Sequence, residues 1–77
     1  MDKEQTKFFK KCGALIRRLR LLKNLTLEDM QDYGFSAQHF QKVESGQKAI
    51  NFYTVFRIAK AFGLNLSKLV LKLEKEL

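Results

Sequence analysis

Residues 25–46 read LTLEDMQDYGFSAQHFQKVESG, and this stretch decides the fold. It reads as two short helices joined by one tight turn. Thr26 suits an N-cap, and Glu28 and Asp29 place negative charge where a helix N-terminus favours it. Leu27, Met30 and Tyr33 recur every third residue, which predicts a helix over about 27–33 with one apolar side. Gly34 tolerates the positive φ that a sharp helix exit requires. Ser36 suits a second cap, and the helix AQHFQKVES that follows would end at Gly46. In that helix Phe40 and Val43 face one way, while Gln38, His39, Gln41 and Lys42 are amides and bases free to face outward. Glu44 is its one acid.

Upstream, Asp2 and Gln5 have the spacing of a capping box, so a first helix is predicted from Lys3 to about Lys23. Phe8, Cys12, Leu15, Ile16, Leu19 and Leu22 recur at spacings of three and four, one buried stripe. Gly13 within it costs roughly 1 kcal/mol relative to Ala, a cost that implies another backbone passing close by. Asn24 suits the left-handed exit. Downstream, Asn51 caps a fourth helix with apolar positions Phe52, Val55, Phe56, Ile58, Ala59 and Phe62, and Gly63 ends it. Asn65 caps a fifth helix, about 66–77. No strand pattern, repeat or low-complexity tract interrupts this order. The expected architecture is therefore all-α: a compact five-helix bundle in one domain over residues 1–77, containing a helix-turn-helix.

The balance of 15 Lys and Arg against 8 Asp and Glu gives a formal charge of +7, which suits a polyanionic partner. No apolar run nears the ~18 residues of a membrane span. The N-terminal MDKEQTKFFKK lacks the apolar core of a signal peptide. One cysteine allows no internal disulfide and fits a reducing compartment, so a cytoplasmic location is expected. Cys12 lies on the buried stripe and reads as a packed thiol. With a single His and a single Cys there is little from which to assemble a catalytic centre, a metal site or a cofactor site, and no small-molecule ligand is evident. No enzyme is expected.

The spaced series from Gly13 to Leu69 resembles the helix-turn-helix family of phage repressors, Cro proteins and Xre-type regulators. It comprises Gly13 with Ile16-Arg17 and Leu19-Arg20, Asn24-Leu25-Thr26, Glu28 and Met30, Gly34-Phe35-Ser36, then Phe40, Val43, Glu44 and Gly46. Asn51, Val55, Ile58, Ala59 and Leu66 close it. The resemblance implies that Ala37, Gln38, Gln41 and Lys42 lie at or beside base edges of double-stranded DNA. It further implies that Ser36 and Ser45 touch phosphates and that Arg20 pairs with Glu44. The chain's size resembles Cro-like or restriction-modification controller proteins, whose occupancy follows their own concentration.

Two departures from the family pattern have consequences. The stretch from Thr26 to Gly34 is one residue short, which would shift the angle between the paired helices. Leu27 replaces a polar phosphate-contacting residue and leaves only its backbone N–H. Ala37 offers a thymine methyl a surface and no hydrogen bond, so reading would rest on Gln38 for adenine and Lys42 for guanine.

Several features keep two readings. His39 is either a base or backbone contact or a solvated residue. Lys3 to Lys11 form either a solvated face or a phosphate-binding one, and Lys48 is better placed to reach a phosphate. Leu66, Val70, Leu73 and Leu77 are spaced four, three and four, suited either to the domain's own core or to a partner helix in a homodimer. For the whole chain, a homodimeric transcriptional regulator on an inverted-repeat operator stands against a protein-interaction module of the same fold, an antitoxin or adaptor.

Overall fold

The computed structural model describes residues 1–77. It runs α1 (Lys3–Leu22), a 3-10 helix (Glu28–Tyr33), α2 (Ala37–Glu44), α3 (Phe52–Ala61) and α4 (Leu66–Lys75). Each α-helix starts where a short polar side chain accepts from an otherwise unpaired amide. Asp2 accepts from Gln5 N at 2.8 Å while the Gln5 side chain accepts from Asp2 N at 3.0 Å. Ser36, Asn51 and Asn65 cap α2, α3 and α4 through His39 N, Thr54 N and Lys68 N. Asn24, with φ of 58°, turns the chain out of α1.

The second helix of the motif winds as 3-10 rather than α. Thr26 and Asp29 bracket its start reciprocally: Asp29 N donates to Thr26 Oγ1 at 3.1 Å and Thr26 N to Asp29 Oδ2 at 2.8 Å. Winding as 3-10 makes the segment longer than an α-helix of the same residues would be. At ~2.0 Å rise per residue, a 3-10 stretch of this length spans about what eight α-helical residues would at ~1.5 Å. The short segment thereby still reaches from the α1 exit to the Gly34 corner.

Every element contributes to one core. Met30, Phe40, Ile58 and Leu69 are fully buried, with Cys12, Ile16, Phe35, Val43, Ala59 and Phe62 around them. The Phe35 and Phe40 rings meet edge-to-face at 5.1 Å, joining the corner to α2.

Four positions expected on the apolar stripes of α1 and α3 are instead exposed. Phe8 is exposed while Phe9 is half-buried, and Leu22 is 76% exposed, because α1 outruns the core at both ends. Phe52 lies on the first turn of α3, to one side of the Ile58–Ala59–Phe62 face, and is 68% exposed, and Phe56, one turn further along the same side, is 39% exposed. In the fifth helix, α4, the division within the expected stripe is sharp. Leu73 is buried in the domain's own core beside Leu69, Leu66 is half-buried, and Val70 and Leu77 face solvent. Leu73 is therefore a core residue first, and a partner's access to the seam narrows to Val70 and Leu77. An exposed pair, Arg18 with Glu76, ties the end of α4 to α1.

Candidate nucleic-acid interface

The position of α2 is set from behind by α1. A Cβ built on Gly13 would stand 2.6 Å from the Val43 carbonyl oxygen and 2.7 Å from the Glu44 carbonyl carbon. Only glycine lets the two backbones approach this closely. Further along α1, on the same side, Arg20 closes the contact. Its Nε donates to Glu44 Oε2 at 2.6 Å, Nη2 donates to Glu44 Oε1 at 3.2 Å, and Nη1 donates to the Leu25 carbonyl at 2.8 Å. Both side chains are buried, so the fork is a dry, bidentate connection between α1, the loop after it and the end of α2. It also removes the one negative charge of α2 from the surface.

At the other end of α2 the corner is held from α3. Gly34 has φ of 87°, in the left-handed region. Its carbonyl accepts from Arg57 Nη1 at 3.1 Å, and the Arg57 guanidinium lies 4.2 Å from the Phe35 ring centre and 5.2 Å from that of Tyr53. Arg57 Nε is buried without a hydrogen-bond partner, so the site holds this side chain by stacking as much as by polar contact. Sequence reading missed Arg57. It lies 23 residues from Gly34, and no local spacing signals the contact.

What remains outward on α2 is polar and unengaged. Gln38, His39 and Gln41 are exposed, and Ala37 and Lys42 are half-buried. The side chains of Gln38, Gln41 and Lys42 make no hydrogen bond or ion pair within the chain. Ser36 Oγ accepts from His39 N at 3.0 Å, which leaves its hydroxyl proton free to donate. The hydroxyl of Ser45 donates to the Lys42 carbonyl at 3.1 Å, so a phosphate contact there requires that proton to turn outward. His39 packs its ring 5.9 Å from that of Phe35 and remains exposed, and Lys48 is exposed two residues beyond Gly46. Burial pushes the Cys12 thiol above its ordinary pKa, so it is a neutral packing group. No cluster of His, Cys, Asp and Glu is arranged to hold a metal, and no helix is long and apolar enough to cross a membrane.

A short capped helix, a left-handed glycine corner and a second capped helix with a free polar face together define a helix-turn-helix domain. A family model described as helix-turn-helix, HTH_3, matches residues 16–69, well over half of the chain. The chain belongs to this family, the Xre, Cro and phage-repressor type of DNA-binding regulators. No curated protein and no solved structure matches it.

Proposed function

We propose that the protein is a sequence-specific transcriptional regulator that binds an inverted-repeat operator as a homodimer, each subunit laying α2 in the major groove. The observation that carries this reading is the contrast between the two faces of α2. Its inner face is locked by Gly13 and Arg20, while Gln38, Gln41 and Lys42 have no partner in the chain. A rigid helix with free amides and an ammonium is what bidentate readout of base edges requires. In this reading Gln38 pairs with adenine and Lys42 with guanine, Gln41 reads an adjacent base, and the Ala37 methyl packs on thymine. Ser36, His39, Ser45 and Lys48 contact the backbone, and phosphate neutralisation makes affinity fall steeply with salt.

One domain covers only one half-site, so a two-fold pair is needed for a full operator. The surface that supports pairing is apolar: Val70 of α4 and Leu77 just beyond it adjoin Phe8 of α1 and Phe52 of α3 around one cleft floored by Cys12 and Leu73. In vitro selection from random duplexes tests the reading. The expected product is an inverted repeat with half-site centres about 34 Å, one helical turn, apart. Recovery of no sequence above a salt-sensitive background would instead favour the protein-interaction module, an antitoxin or adaptor of the same fold.

A further inference from the structure

The N-terminal half of α1 lies outside the stretch matched by the family and has no part in the helix-turn-helix. Its position relative to α2 gives it one. Gly46, the residue that ends the recognition helix, is buried with φ of 78°. A Cβ there would lie 2.7 Å from both the Cα and the N of Lys10, so the main chain leaving α2 presses directly on the main chain of α1. A helix about 10–12 Å across fills a major groove ~12 Å wide, with a phosphate strand along each flank. An element that abuts the end of such a helix and continues past it can run beside one of those strands.

That element presents a cationic edge. Lys3 and Lys10 are two helical turns apart on the same side, with Lys7 between them, and all three are exposed. None has a carboxylate partner; the chain's ion pairs involve only Arg18 with Glu76 and Arg20 with Glu44. The acids nearby are Asp2, occupied at the cap, and Glu4, about 100° round the helix from Lys3. The helix cannot rotate this edge away, because Cys12, Leu15 and Ile16 are fixed in the core on its other side.

We propose that Lys3, Lys7 and Lys10 lie along the phosphate backbone next to the groove that α2 enters, extending the DNA contact beyond the operator half-site. Lys3 and Lys10 are separated by ~10 Å of helix axis, at ~1.5 Å per residue. Three lysines spread over this length can each meet a phosphate of the strand they follow. The contact is to backbone alone, so it adds affinity and no base preference. This proposal rests on the reading of α2 as the recognition helix.

The test compares the full-length wild type with a K3Q/K7Q/K10Q variant on the selected duplex over a range of salt. The slope of log Kobs against log salt is expected to become shallower by about 2–3, at ~0.9 for each phosphate no longer neutralised, with the ranking of base preferences unchanged. Removing about half a helical turn of flanking duplex should lower wild-type affinity and leave the variant unaffected. An unchanged slope overturns the proposal while leaving α2 as the reader. So does an equal effect of the substitutions on the trimmed duplex, which would mark a long-range charge effect. Failure of the wild type to select any sequence removes both the proposal and the reading beneath it. Thermal melting checks the fold of the variant, and if the triple variant melts early, K3Q and K10Q singly should each reduce the slope by ~1.

Discussion

Arg20 and Glu44 pair through both arms of the guanidinium, at 2.6 Å and 3.2 Å, with side chains only 8% and 6% exposed. A buried charge left without its partner costs ~3–5 kcal/mol, a large share of the stability of so small a domain. Glu44→Ala is therefore expected to destabilise strongly in urea unfolding. Replacing both residues with apolar side chains of similar volume should cost much less than the single change, since no buried charge is left over. If single and double variants unfold at the same midpoint as the wild type, the pair is solvated in solution and does not set the position of α2.

Gly13 makes an opposite-sign test. Alanine is the better helix former by ~1 kcal/mol, so on propensity alone Gly13→Ala would stabilise α1. The added methyl would instead meet the Val43 and Glu44 main chain, which cannot move aside as a flexible side chain can. A net loss on the order of 1–3 kcal/mol is expected from this overpacking. A gain in melting temperature would show that α1 and α2 stand further apart.

Arg57 bridges α3 to the corner of the motif through the Gly34 carbonyl and the Phe35 ring. Arg57→Ala removes a charged hydrogen bond of ~1.5–3 kcal/mol in a half-exposed setting that screens it, together with a stacking contact of ~0.5–1 kcal/mol. The expected result is a loss near the low end of these values and faster amide exchange at Gly34 and Phe35 than in the rest of the fold. Uniform acceleration at every site would mean that Arg57 supports the core as a whole rather than the corner.

The proposed homodimer is best tested away from Leu73, whose substitution would open the domain's own core. Val70 is on the same helix, 43% exposed, and lies in the apolar cleft. Val70→Asp is expected to leave the melting curve of the monomer intact, yield monomers in sedimentation and weaken binding to a two-half-site operator more than to one half-site. A retained dimer would place the contact on another face.

Much of the molecule could be read before any coordinates. The caps at Asp2, Ser36, Asn51 and Asn65 each rest on a short polar side chain and an amide one turn downstream, a local pattern. Gly13 signals a close backbone by being costly where it stands. The family resemblance supplied the pairing of Arg20 with Glu44. What failed were judgements that need the length of a neighbour. Periodicity marks Phe8 and Leu22 as apolar-face residues but carries no information on where the facing helices stop. The same limit hid the division of α4 between Leu73, taken by the core, and Val70, left outside. The 3-10 winding of residues 28–33 and the reach of Arg57 to Gly34 are tertiary outcomes: one depends on the distance to be spanned, the other on two elements far apart in sequence.

The proposed function depends on the outward face of α2 reading bases. Quantitative binding of wild type, Gln38→Ala and Lys42→Ala to the selected operator and its single-base variants measures it directly. Each substitution is expected to cost ~1–3 kcal/mol on the cognate site and to flatten preference at one base pair per half-site, with the melting curve unchanged. Wild-type affinity and an unaltered preference profile in both variants would mean that this face of α2 does not read bases.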